Sequence, residues 1–94
     1  MPKLNRAQIK KACATLPGWK LVKGPAISRV FQFKDFVNAI RFVNAVARLA
    51  EKAWHHPDID IRWNKVALAL TTHSEGGLTA KDFKLAKQFN RLAK

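Results

Sequence analysis

Acidic residues are scarce in this chain: six Asp and Glu stand against eighteen Lys and Arg among 94 residues, with one Cys and no Tyr. The lone Cys13 cannot close an internal disulfide, which excludes a disulfide-built secreted fold and makes a reducing compartment, the cytoplasm, the simpler setting. No apolar run approaches the roughly 18–20 residues that span a bilayer, so no membrane partner is expected. A glycine-rich phosphate loop, an HExxH pair and a recognisable serine or cysteine nucleophile motif are all missing, which argues against nucleotide hydrolysis, zinc proteolysis and acyl transfer. There is no linker, repeat or low-complexity segment, so residues 1–94 read as a single domain. The N-terminus holds no acid before Asp35, as a targeting leader would. Leu4, Ile9 and Leu16 are nonetheless core candidates there, and Pro17-Gly18 is a stop signal, so the segment belongs to the domain.

What is present is apolar content near half, 10% aromatic residues and a formal net charge of +12. The first two predict a folded globule with one modest core. The charge raises association with any polyanion and keeps a small protein soluble. Nucleic acid is therefore a nonspecific contact at most, because charge biases encounter without identifying a partner.

Periodicity predicts seven elements. A short helix fits 4–15, and 19–23 and 27–33 read as strands about the Gly24-Pro25 turn, although Arg29 breaks the alternation. The longest helix should run from 34 to 54, with Phe36, Ile40, Val43, Ala47, Ala50 and Trp54 recurring at helical spacing. A second line, Ala39, Phe42, Val46 and Leu49, widens the apolar face beyond what one sheet needs, and the surplus predicts burial against another subunit. Pro57 ends this helix. Ile59, Ile61 and Trp63 alternate with charged residues as a half-buried strand, and Asn64-Lys65 turns into a strand over 66–73. Gly76-Gly77 then precedes a last helix opened by Thr79 and Asp82 in a capping-box-like pair. The order α-β-β-α-β-β-α predicts an α+β domain: a four-stranded antiparallel sheet with three helices packed on one face.

All three histidines converge in this scheme. Glu51 and His55 are spaced to touch at a helix end, and His56 follows on a segment that Pro57 forces to be extended. The 58–73 hairpin carries His73 back toward residues 55–57, and the Gly-Gly turn brings Asp82 up behind. An imidazole, with a reference pKa of about 6.5, can take or give a proton near neutral pH. Two or three at one mouth can protonate a leaving group while removing a proton elsewhere, which suits an elimination or isomerisation without a covalent intermediate. Plainer roles compete: Glu51 as a solvated helix residue, Asp82 as a helix-start residue, His55 as a partner of the helix dipole, and His73 as a surface residue. Zinc is the sharper rival, but adjacent histidines chelate poorly and no cysteine supports them, so no metal is expected.

The pattern Glu51-x3-His55-His56-Pro57-x5-Trp63-x9-His73-x8-Asp82 resembles the signature of the pterin-4a-carbinolamine dehydratases. The stretches LPGW at 16–19, FQFKDF at 31–36 and GGLTAKDFKLA at 76–86 are similar to that family too, and the likeness covers roughly 4–93. The resemblance implies dehydration of 4a-hydroxytetrahydropterin to the quinonoid dihydropterin, which recycles the tetrahydrobiopterin used by aromatic amino-acid hydroxylases, with no cofactor. It implies His55 and His73 as the acid/base pair and His56 and Pro57 as pterin-holding residues. Glu51 would orient His55, Asp82 would support the cluster, and Trp19 or Trp63 would shape a flat apolar wall. It also implies a homodimer or homotetramer. The alternative is a basic binding module without catalysis, touching nucleic acid or acting as a transcription-factor dimerisation partner, as one mammalian relative does.

Overall fold

Helix formation begins where Asn5 satisfies the first free N–H groups. Its Oδ1 accepts from the Gln8 N–H at 2.9 Å, and the Gln8 side chain accepts from the Asn5 N–H at 2.8 Å. This capping box opens α1 (Arg6–Ala14), which buries Ile9 while Ala12 and Cys13 pack partly against the core. Burial pushes the Cys13 thiol pKa up. Asn5→Ala should cost about 1 kcal/mol. That loss should appear as a melting temperature lowered by roughly 4–8 °C.

The computed structural model describes residues 2–94. After α1 come β1 (Lys20–Val22), β2 (Ala26–Gln32), α2 (Phe36–Ala53), β3 (Asp58–Arg62), β4 (Lys65–Leu70) and α3 (Ala80–Leu92), with a 3₁₀ turn at His73–Glu75. The four strands form one antiparallel sheet in the order β1-β2-β4-β3. Its register sets Ile27 opposite Leu70 and Phe31 opposite Val66. With period-two alternation these side chains and Leu68 share one face. They form one core with Ala39, Phe42 and Val46 of α2 and Phe83, Leu85, Ala86 and Phe89 of α3. The predicted α+β architecture, with its helices on one face, is the observed one.

Arg29 does not disturb the register. It faces the core side opposite Leu68, and its guanidinium donates to the Pro17 carbonyl at 3.1 Å and to Asn90 Oδ1 at 2.7 Å. The guanidinium lies over Phe31, with Cζ 4.3 Å from the ring centroid, so the charge is partnered on the core side while the chain stays in phase.

Three expectations change. The strand expected to be half-buried, β3, lies at the sheet edge with all five residues exposed. In α2 the fully buried residues are Ala39, Phe42 and Val46 of the second predicted line, with Leu49 half-buried, joined by Ala50 from the first. The first line supplies the surplus: Phe36 is 49% exposed and Trp54 73%. The last strand stops at Leu70 rather than at His73. Thr72 pairs back to Gly77, its N–H donating to the Gly77 carbonyl at 2.9 Å, and this bridge closes a tight turn that lifts His73 off the sheet.

Candidate active site

The site is assembled by how α2 ends. Trp54 adopts a left-handed conformation, φ 51°, and its N–H still reaches the Ala50 and Glu51 carbonyls. Helical phase is lost at that residue, so His55 is not displayed one turn above Glu51. The expected Glu51–His55 contact is therefore replaced by two others. His55 turns inward to Asp82, with Nε2 2.5 Å from Oδ1. His56 folds back over the helix end, its Nε2 2.5 Å from Glu51 Oε2, and the Trp54 ring meets the His56 ring edge-on with centroids 5.2 Å apart.

Asp82 is fully buried, yet every acceptor it offers is used. Oδ2 accepts from the Thr79 N–H at 3.0 Å, closing the capping box of α3, and from the Thr72 hydroxyl at 2.8 Å. Proton directions follow from donor chemistry. A carboxylate only accepts, so the Thr72 hydroxyl donates to it, and the Thr79 hydroxyl, 2.9 Å from Thr72 Oγ1, must donate to Thr72. By the same reasoning His55 donates through Nε2. Its Nδ1 is then the nitrogen free to take a proton in the neutral ring or give one in the charged ring. The His55 side chain is 10% exposed, so the ring is held but reachable.

His55 also lines a cavity of about 420 Å³ between α2 and α3, floored by Leu49 and Leu85 and edged by Lys52, Lys81 and Lys84. That volume is within the usual range for small-molecule sites.

The remaining predicted residues are placed as follows. His73 is exposed on the turn that starts one residue after Thr72, outside both hydrogen-bonded groups. Pro57 is half-buried and joins the histidine pair to β3. Trp19 is a core residue, 5% exposed, edge-on to Phe31 with its indole N–H on Asn90 Oδ1 at 2.8 Å. Asn90 lies two helical turns beyond Asp82, about 12 Å at 1.5 Å per residue, so Trp19 is not brought to the histidines. Trp63 is 68% exposed in the β3–β4 turn, separated from His56 by the whole of the five-residue strand β3, itself about 17 Å long. Thr72 was not singled out from sequence, and Thr79 only as the residue that opens α3 with Asp82. The available signal for Thr72 was its place directly before His73. No group of three His, Cys, Asp or Glu side chains is arranged to hold a metal among the described residues.

The family model described as Pterin 4 alpha carbinolamine dehydratase matches residues 2–92. The chain belongs to this family. A relative from Acidobacterium capsulatum named "Putative pterin-4-alpha-carbinolamine dehydratase" is 53% identical over 98% of this chain and 99% of its own length. One of the same name from Thermosynechococcus vestitus is 50% identical over 97% of this chain and 95% of its own. Among solved structures, a transcriptional coactivator/pterin dehydratase from Brucella melitensis superposes with a TM-score of 0.94 at 41% identity, covering 98% and 99% of the two chains. A pterin dehydratase-like RuBisCO assembly factor of the alpha-carboxysome shares the fold, with a TM-score of 0.71 at 24% identity over 81% of this chain and 89% of that one. The dehydratase family thus spans this chain from end to end, and its fold also serves a protein described by assembly rather than catalysis.

Proposed function

We propose that the protein dehydrates 4a-hydroxytetrahydropterin to quinonoid dihydropterin and water by histidine acid/base catalysis. The reading is carried by the His55–Asp82–Thr72–Thr79 chain at a cavity, in a sequence that matches the dehydratase family along its length. In the reaction the C4a–O bond breaks, the N5–H bond breaks, and a C4a=N5 double bond forms. The departing hydroxyl needs a proton and N5 must lose one, so the step balances without an oxidant or reductant. His55, fixed through Nε2, acts through Nδ1. His73 supplies the second imidazole, and its exposed turn leaves it free to approach a bound pterin. His56, braced by Glu51, contributes to holding the pterin beside Pro57. Recycling of tetrahydrobiopterin in the cytoplasm is the corresponding role, and no helix among the described residues is long and apolar enough to cross a membrane. The test is the loss of 4a-hydroxytetrahydropterin, followed by ultraviolet absorbance, with enzyme freed of metal by chelation. A rate no faster than the spontaneous one, with the protein folded, defeats the proposal.

A homo-oligomer is part of the same proposal. Phe36 and Ala47 are exposed along one apolar line of α2, and all five residues of the edge strand β3 are exposed, including Ile59 and Ile61. An open edge with apolar side chains favours pairing. Light scattering should give two or four times the 10.6 kDa chain mass. Phe36→Glu/Ala47→Glu should lower that mass without unfolding the chain. A wild type at 10.6 kDa removes this part.

One observation favours a second reading, the basic binding module. Among the described residues, Arg62 is the only Lys or Arg in an ion pair with a carboxylate. Binding of a DNA duplex driven by the remaining cations should collapse with added salt and ignore His55→Ala. Dehydration should respond in the opposite way.

A further inference from the structure

The lining of the cavity at His55 combines one imidazole with three ammonium groups, from Lys52 on the last turn of α2 and Lys81 and Lys84 on the first turns of α3. No carboxylate belongs to its lining. Asp82 turns its oxygens into the buried hydroxyl chain, and Glu51 is engaged by His56. None of the three lysines makes an ion pair among the described residues.

Helix stability accounts for Lys52, in the last turn of α2, but not for Lys81 and Lys84. Lys81 stands in the first turn of α3, where the helix dipole disfavours a cation and favours an anion. Lys81 and Lys84 are three apart on one helix, so their like charges repel at close range. Three cations and a helix N-terminus around one cavity create a local positive well that an anion relieves. A pterin with an uncharged side chain can offer hydroxyl acceptors there but no charge to offset the three cations. Leu49 and Leu85 in the same lining can carry the flat part of a ligand while an acidic substituent meets the lysines.

Resting on the dehydratase reading, we infer that the natural substrate is a hydrated reduced pterin whose side chain ends in an anion, bound by Lys52, Lys81 and Lys84. Lysine acts as a point charge and does not distinguish a phosphate ester from a carboxylate by geometry. The shared chemistry is therefore an anionic tail. Three partly exposed pairs at a few tenths of a kcal/mol each correspond to about a tenfold preference.

The experiment compares kcat/KM for 4a-hydroxytetrahydropterins bearing a neutral polyol tail, the same tail phosphorylated, and a glutamyl tail. The wild type should prefer at least one anionic substrate about tenfold, mainly through KM, with the preference shrinking as salt is added. Which anionic arm wins identifies the source of the charge. In Lys52→Gln/Lys81→Gln/Lys84→Gln the anionic-to-neutral ratio should fall toward one. Turnover of all three substrates at equal efficiency by the wild type overturns the inference and leaves the dehydratase reading standing. If no substrate is dehydrated, the dehydratase reading fails, and equilibrium binding of the corresponding stable 7,8-dihydropterins still reads the lysines. In that measurement, tighter binding of an anionic-tailed ligand by wild type than by the triple variant supports the site, and equal binding overturns it.

Discussion

Dehydration of a 4a-hydroxytetrahydropterin is expected to slow by about 10²–10⁴-fold when His55 and His73 are both replaced by alanine, with the fold retained. The magnitude follows from what each imidazole supplies. His55 presents Nδ1 with its other nitrogen fixed on Asp82 at 2.5 Å, so the ring meets the substrate in one tautomer and one orientation. His73 is unconstrained by hydrogen bonds among the described side chains and exposed, so ordering it comes at the cost of its own side-chain freedom. His55→Ala alone should therefore be the more damaging single change, and each single variant should fall short of the double because the surviving imidazole covers part of the loss. His73→Ala should change stability little, because the side chain is exposed. His55→Ala leaves the buried Asp82 Oδ1 without its partner, at about 1–3 kcal/mol, while Oδ2 still accepts from Thr72 and Thr79 and keeps the fold. Stopped-flow absorbance on the three variants, with circular dichroism as the folding control, checks this. Wild-type rates in the double variant would sink the assignment of both histidines.

The parts of this molecule legible in sequence are those governed by short periods. Alternation in β2 and β4 and helical recurrence in α2 and α3 follow directly from side-chain direction, and they place the sheet, the helix layer and the core face. The sequence offered candidate site residues but not their pairings. Glu51 and His55 are separated by one helical turn, and the helical rule pairs them as long as the helix continues. The single left-handed residue at Trp54 ends that phase, and no feature of a tryptophan announces positive φ, a conformation typical of glycine or asparagine. The choice between the two apolar lines of α2 was likewise open, because a wide stripe does not say which edge meets the sheet. Trp19 and Trp63 illustrate the same gap from the other side. Each matches a family-like segment, yet one is inside the core and the other stands at the far turn of the hairpin.

The Thr72–Asp82 contact joins residues ten apart across a turn, and it gives the second large prediction. Asp82→Asn should fold and be nearly inactive. The site around Oδ2 fixes how an amide must sit: the Thr79 N–H and the Thr72 hydroxyl both donate there, so the amide oxygen takes that position. The amide nitrogen then occupies the place of Oδ1 and points its hydrogens at His55 Nε2, which must become an acceptor. The ring proton moves to Nδ1, and that nitrogen can no longer remove a proton from N5. The same aspartate-to-asparagine inversion in a serine-protease triad costs about 10⁴ in kcat, and a loss of at least about 10² is expected here, where the second imidazole shares the work. Nitrogen NMR of the imidazole should report the tautomer change directly, which a purely structural role for Asp82 would not produce. Asp82→Ala is less informative. It strands the Thr72 hydroxyl, the Thr79 N–H and the His55 ring in a buried space, at about 1–3 kcal/mol for each unsatisfied group, and removes the α3 capping box. Its inactivity would merge with unfolding. Asparagine keeps the volume and the cap, so it separates the two effects. If the folded asparagine variant turns over at the wild-type rate, Asp82 serves only to start α3, and the tautomer of His55 does not control the chemistry.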